Sequence, residues 1–303
     1  MAADGTTTAI PGRLASGAVE TGNLWGFTRP QQVALAVMVV ALAVGPFMLY
    51  PVFLMKLLCF ALFACAFNLL IGYVGLLSFG HAAYFGMGGY IAGYTAKAWG
   101  FTPEVAIIVG AAVAGIQGLV FGWISIRRAG IYFSMITLAM AQMVYFFCVQ
   151  APFTGGEDGI QAIPRGNLFG VISLRSDMTM YWVVAAIFLG GCLMIHRIVH
   201  SPFGQVMKAI RENEPRATSL GYRTDDYKLM AFVLSATLAG VAGATKSLVF
   251  GIATLTDVHW SMSGEVVLMT LIGGLGTLFG PVVGAFVIIA MLTYLAPFGQ
   301  LVT

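Results

Sequence analysis

The chain is short of charge. Only 9% of its 303 residues are Asp, Glu, Lys or Arg, whereas 59% are hydrophobic and the mean hydropathy is +0.90. A soluble domain carries roughly a quarter charged residues, so this chain could not cover a water-facing surface of its own size. The solvent for most of its surface must be lipid, and it reads as a polytopic membrane protein. Cysteine is scarce too. Cys59, Cys65, Cys148 and Cys192 all fall inside apolar runs, with no Cys-x-x-Cys pair, so they read as small buried or lipid-facing side chains.

Other absences narrow the chemistry. Residues 1–30 have no basic start followed by an apolar core, so they read as a disordered cytoplasmic tail rather than a cleavable signal peptide. Gly243-Ala-Thr-Lys246-Ser resembles a phosphate loop but lacks a Lys directly after the second Gly. With no other nucleotide motif, any ATP that drives this protein binds to another chain. His196 and His200 could share a helix face, but no third metal ligand accompanies them. All twelve acids fall in loops, tails or span ends, Glu265 included, which speaks against an ion-coupled secondary transporter or channel. Scattered serines and one mid-membrane histidine make no catalytic set.

Long apolar runs are abundant. At ~1.5 Å per residue a span needs about 20 of them. Candidate spans are Val33–Leu49, Val52–Ile71, Val105–Ile126, Ile131–Val149, Tyr181–Val199 and Leu229–Phe250. Gly72–Ala96 is apolar but holds seven glycines, which predicts a span of broken character. Val266–Leu295 is too long for one span and is cut by Gly280-Pro281, so a short segment followed by a full span is expected. Gln150–Met180 reads as a long polar loop.

Lys and Arg set the orientation. Arg127 and Arg128 lie between the fourth and fifth spans, and six Lys/Arg lie from Arg197 to Lys228. Placing these in the cytoplasm puts Gln150–Met180 outside and the N-terminus, with Arg13 and Arg29, inside. Ile71–Gly80 and Ile272–Gly280 resemble one another with one gap. Under this topology one enters from the cytoplasm and the other from outside, the pattern of an inverted repeat around a substrate path.

Gly89 and Gly93, Gly118 and Gly122, and Gly276, Gly280 and Gly284 step by four, which places small residues on one helix face for close packing. Asn68, Ser78, His81, Gln117, Thr137, Gln142 and Lys246 are polar residues in apolar runs. They should face the interior, either as interhelical hydrogen bonds or as a path for a polar solute, with His81 the best single candidate. Thr154-Gly155-Gly156-Glu157-Asp158-Gly159 reads as a turn on the outer face, either a simple loop or a docking or gating element.

One polar island stands out. Nine of the chain's charged residues lie from Lys208 to Lys228, flanked by apolar runs. It reads as a handle for a soluble partner. Pro215 should break a helix there or begin a new one.

These motifs converge on a family. The stretches Asn68–Gly86, Gly130–Ala139, Thr154–Gly159, Ser201–Gly204, Ala209–Glu214 with Leu220-Gly221, and Leu271–Pro281 occur in order. They resemble the LivM-like permease subunits of ABC importers for branched-chain amino acids, over roughly residues 30–296. The resemblance implies a multi-pass protein of the bacterial inner membrane, paired with a second homologous permease. Two cytoplasmic ATPase subunits would carry ATP and Mg, and a periplasmic solute-binding protein would deliver the solute. No cofactor on this chain and no nucleic acid are implied. Related permeases resemble carriers of urea, amides or aromatic acids, so the solute stays open. The island becomes the ATPase-coupling segment within 200–228, with Ala209, Arg211, Glu212, Glu214, Arg216 and Gly221 as its residues. The expected fold is all-α and polytopic, with about 8–10 transmembrane or re-entrant helices, a permease domain over 31–303, glycine-rich packing and a candidate inverted repeat.

Overall fold

A computed structural model describes residues 29–170 and 172–294. Its helices are α1 (Arg29–Met48), α2 (Pro51–Ile71), α3 (His81–Ala98), α4 (Pro103–Ser125), α5 (Ile131–Gln150), α6 (Asp177–His200), α7 (Pro202–Glu212), α8 (Glu214–Ser219), α9 (Thr224–Phe250), α10 (Trp260–Gly273) and α11 (Gly280–Tyr294). Among the described residues, α1, α2, α4, α5, α6 and α9 are long and apolar enough to cross a membrane. With the shorter α3, α10 and α11 they make the expected all-α polytopic fold. The expected tail lies outside the described residues, apart from Arg29 and Pro30, which open α1.

Helix α2 is apolar on every side, and that composition suits a central position. Its span is 89% buried against 11% for α1. Helices α6, α9, α10 and α11 pack against it. Helix α4 shows the pattern lipid imposes. Its small residues Ala106, Gly110, Ala114, Gly118 and Gly122 turn inward, while Ile108, Ile116, Leu119 and Trp123 face out. Lipid gives large apolar groups no reason to hide, so close backbone approach decides which face is inside. The α3–α9 crossing is closest at Gly243, where an added Cβ would run into the Phe85 carbonyl oxygen.

Both predicted breaks are present, with shifted boundaries. The third span divides into an irregular segment, 72–80, and α3. The last run divides into α10 and α11, which form an antiparallel hairpin. Added Cβ atoms at Gly273 and Gly284 would meet Gly280 and Met269 respectively. The break covers 274–279, and Pro281 sits in the first turn of α11, where its missing N–H costs nothing. Two expectations change here. Gly276 lies in the break with φ +76°, not on a helix face with Gly280 and Gly284. Glu265 lies inside α10, five residues past its start, not at a span end.

The polar island folds as two short helices and the start of a third. Ser201 caps α7 by accepting from the Gly204 N–H, and Asn213 caps α8 by accepting from the Arg216 N–H. Pro215 falls in the first turn of α8, so the segment is split as its sequence predicts. The seventh span starts earlier than its apolar run, because Asp225 and Asp226 suit a helix N-terminus.

Between α5 and α6 lie two 3₁₀ turns, Pro152–Thr154 and Gly156–Asp158, and a hairpin of β1 (Asn167–Leu168) and β2 (Ile172–Ser173).

Candidate functional site

The two glycine breaks meet. The Asn68 side chain, in the last turn of α2, donates from Nδ2 to the Thr277 carbonyl at 2.8 Å and accepts at Oδ1 from the Gly276 N–H at 3.0 Å. An added Cβ at Gly72 would lie 2.6 Å from the Gly276 nitrogen. Arg211 of α7 reaches the same place, its Nη1 donating to the Gly72 carbonyl. Both breaks therefore sit side by side at the α7 end of the bundle. Segment 72–80 leaves that end for the bundle interior, whereas α10 reaches it from the opposite end, where Ala253 pairs with Ile160, and the tip of the α10–α11 hairpin returns to the end of α2.

From this junction, segment 72–80 runs into the bundle and is stitched at each step. Ser134 Oγ donates to the Leu77 carbonyl at 2.6 Å. The Phe79 N–H donates to Thr137 Oγ1 at 3.2 Å, and the Gly80 N–H to Ser78 Oγ at 3.2 Å. The Ala82 N–H, in the first turn of α3, donates to Ser263 Oγ of α10 at 3.0 Å. A helix that starts inside a membrane leaves its first N–H groups unsatisfied, and neighbouring hydroxyls satisfy some of them here.

His81 completes the set. Its Nε2 lies 2.9 Å from Ser235 Oγ of α9, and that hydroxyl gives its proton to the Ala66 carbonyl at 2.5 Å. The hydroxyl can then only accept from the ring, so Nε2 carries the imidazole proton. Phe67, Tyr84 and Phe232 surround the ring edge-to-face at 5.0–6.0 Å.

The structure thus brings Asn68, Ser78, His81 and Thr137 together around segment 72–80 and its two ends, each engaged in a hydrogen bond. Gln117 and Gln142, on α4 and α5, belong to none of these bonds. Lys246 also turns inward, and sequence reasoning missed its partner. Its Nζ meets Asp257, in the short turn before α10. The available signal was the rule that a buried cation needs a counter-charge.

The coupling candidates separate into two groups. Ala209, Glu212, Arg216 and Gly221 are exposed. Arg211, also exposed, points its guanidinium to Gly72, and the half-buried Glu214 pairs with the buried Lys228 of α9. Met207, Ile210 and Ala217 are the buried side of this element. An apolar cavity of about 750 Å³ opens between α7 and the start of α9, lined by Phe203, Val206, Ala209, Tyr222, Tyr227 and Met230.

At the other end, the loop Thr154–Gly159 is fastened down. Thr154 Oγ1 lies 2.6 Å from the Cys148 and Ala151 carbonyls. Just beyond the loop, Ile160 and Ala253 exchange backbone hydrogen bonds at 3.0 and 2.9 Å. Gly155, Gly156 and Gly159 take positive φ to make the turn, and Glu157 and Asp158 remain exposed. Among the described residues, no group of three His, Cys, Asp or Glu could hold a metal ion.

Comparison with known proteins gives this arrangement a context. The family described as "Branched-chain amino acid transport system / permease component" matches residues 49–301. The permease protein LivM of the high-affinity branched-chain amino acid transport system of Salmonella typhimurium is 25% identical over 256 residues, 77% of this chain and 60% of that protein. The chain therefore spans about 60% of the length of that relative. The probable LivM of Methanocaldococcus jannaschii is 27% identical over 280 residues, 78% of this chain and 80% of that protein. The permease LivH of Salmonella typhimurium is 22% identical over 248 residues, 76% of this chain and 79% of that protein. No solved structure matches significantly. With the match covering all but the first 48 and last two residues, the chain belongs to the family of permease components of branched-chain amino acid transport systems.

Proposed function

We propose that this chain is one of two permease subunits in an ATP-driven importer of the bacterial inner membrane, carrying branched-chain amino acids into the cytoplasm. The observation that carries the reading is the α7–α8 element. It is charge-rich and amphipathic, it is held between two spans, and it touches the junction of two broken helices through Arg211. A force applied to α7 has a short path to backbone that is irregular inside the membrane.

The α7 end then faces the cytoplasm. Arg127, Arg128 and the basic residues of α7 and α8 lie at that end, in agreement with the distribution of positive charge expected of cytoplasmic loops. Two ATPase subunits dock on the exposed face around Ala209, Glu212 and Arg216 and supply ATP and Mg. A second homologous permease completes the path, and the resemblance of this chain to both LivM and LivH suits such a pair. A periplasmic solute-binding protein delivers the solute at the opposite end, near Glu157 and Asp158. Asn68, Ser78, His81 and Thr137 hold the inner break of the path closed in this conformation. The chain itself performs no catalysis.

The test is pull-down of the detergent-solubilised protein with its ATPases, followed by uptake into proteoliposomes across a panel of amino acids and urea. ATP-dependent leucine uptake is expected. Uptake without any ATPase partner would overturn the reading, and selective urea uptake would move it to another solute.

A further inference from the structure

Helix α7 faces two ways. Glu212 and Ala209 point outward, and Arg211, itself exposed, bends its guanidinium back onto segment 72–80. Its Nη1 donates to the Gly72 carbonyl, which lies at the C-cap of α2. The end of a helix gathers unsatisfied carbonyls and partial negative charge, so a guanidinium is well suited there. The stem of Arg211 rests on Gly75, where an added Cβ would lie 3.3 Å from its Cγ. The guanidinium also borders Gly276, where an added Cβ would lie 2.9 Å from Nη1. One side chain therefore touches both breaks, and Asn68 ties those breaks to each other.

We propose that Arg211 is the transmission pin of the importer, a positioning residue that carries motion of the ATPase-docking helix to the paired glycine breaks. This rests on the permease reading above. The path is short: α7 to Gly72 through Arg211, then α2 to the α10–α11 tip through Asn68. Two other ties of this element lead elsewhere. Ser201 continues into α6, and Glu214 binds Lys228 of α9. Lys208 of α7 also sits 6.0 Å from the Tyr73 ring in the first break, but Arg211 is the α7 side chain that hydrogen-bonds to the break and also borders Gly276. Glycine at 276 leaves room for the guanidinium and glycine at 75 for the stem of Arg211.

The experiment uses the complete importer in proteoliposomes, with leucine as the solute. Arg211→Ala is expected to retain its ATPases on purification and to continue hydrolysing ATP. Uptake should fall by about tenfold or more, the scale of a lost hydrogen bond to a charged group. Arg211→Lys, which keeps a cationic donor, should recover much of that loss. Normal uptake by Arg211→Ala overturns the proposal. Loss of the ATPases also overturns it, since Arg211 would then be a docking contact. Spin labels at Glu212→Cys and Leu278→Cys, read in the permease pair alone, give a second measurement independent of transport. A narrow distance distribution that broadens with Arg211→Ala supports the pin, and an unchanged one overturns it. Absence of leucine uptake by the unaltered importer counts against the permease reading itself, while the label distance still decides the pin.

Discussion

Lys246 Nζ lies 2.6 Å from both carboxylate oxygens of Asp257, and their side chains are only 12% and 8% exposed. Asp257 also accepts from Thr254, from its N–H at 3.4 Å and its hydroxyl at 3.2 Å. The pair joins α9 to the turn that launches α10. A buried ion pair adds little over a well-packed apolar pair, but loss of one partner strands the other charge. Lys246→Met or Asp257→Ala alone should each cost about 3–5 kcal/mol. The double variant Lys246→Met with Asp257→Leu should be milder than either. Thermal unfolding in detergent measures this, and additive losses would contradict it.

Glycine replacement separates close approach from plain packing. Gly72→Ala would drive a methyl to within 2.6 Å of the Gly276 nitrogen, against backbone that cannot rotate away. Gly190→Ala on α6 has nothing within 4 Å and should be neutral or stabilising by up to about 1 kcal/mol. The expected contrast is a clear loss of folded yield for the first and none for the second, read by size-exclusion chromatography. Equal behaviour would mean that the junction opens freely.

Asn68 tests the junction through its two hydrogen bonds. Asn68→Ala removes the partner of the Gly276 N–H and of the Thr277 carbonyl, which lie at a part-exposed tip, at a cost of about 0.5–1.5 kcal/mol for each hydrogen bond. Asn68→Asp keeps an acceptor for Gly276 but turns a second acceptor toward the Thr277 carbonyl, so it should not rescue. Amide hydrogen exchange of 72–80 and 274–279 should speed up by about tenfold or more in both variants. Unchanged protection would show that backbone packing alone holds the breaks together.

Glu157 and Asp158 are exposed on a loop whose backbone is fastened. Under the proposed function, they present charge to the solute-binding protein. Glu157→Gln with Asp158→Asn should slow that association a few-fold at low salt and leave the melting temperature unchanged, because rim charges act mainly on the encounter rate. Binding kinetics at two ionic strengths provide the check. An effect of equal size at both strengths would argue against steering.

Much of this fold is legible in the sequence because lipid selects simple patterns. Runs such as Val105–Ile126 and Tyr181–Val199 announce helices within a few residues of α4 and α6, and the glycines of 72–80 announce a break. Boundaries set by capping rather than hydropathy are less visible. The start of α9 at Thr224 lies five residues before its apolar run. Contacts between distant segments are less visible still. Asn68 and Thr277 are 209 positions apart, and nothing local to either names the other. The direction of Arg211 within a charged block is also hidden, because charge alone does not distinguish a docking contact from an inward tie. The similarity of the two glycine segments suggested opposite directions of entry, but not that their breaks would meet through Asn68.

Helix α1 stands apart from all of this. It buries only 11% of its span against the rest of the chain, and the family match begins after it. The Tyr181 hydroxyl of α6 donates to its Leu42 carbonyl at 2.8 Å. In water such a helix would collapse onto the bundle, but acyl chains solvate it as well as protein does. Its 20 residues extend about 30 Å, close to one hydrocarbon thickness. The tilt of α1 therefore follows the local bilayer thickness more than the packing of the bundle, and membranes of different lipid composition should reorient it while the core keeps its shape.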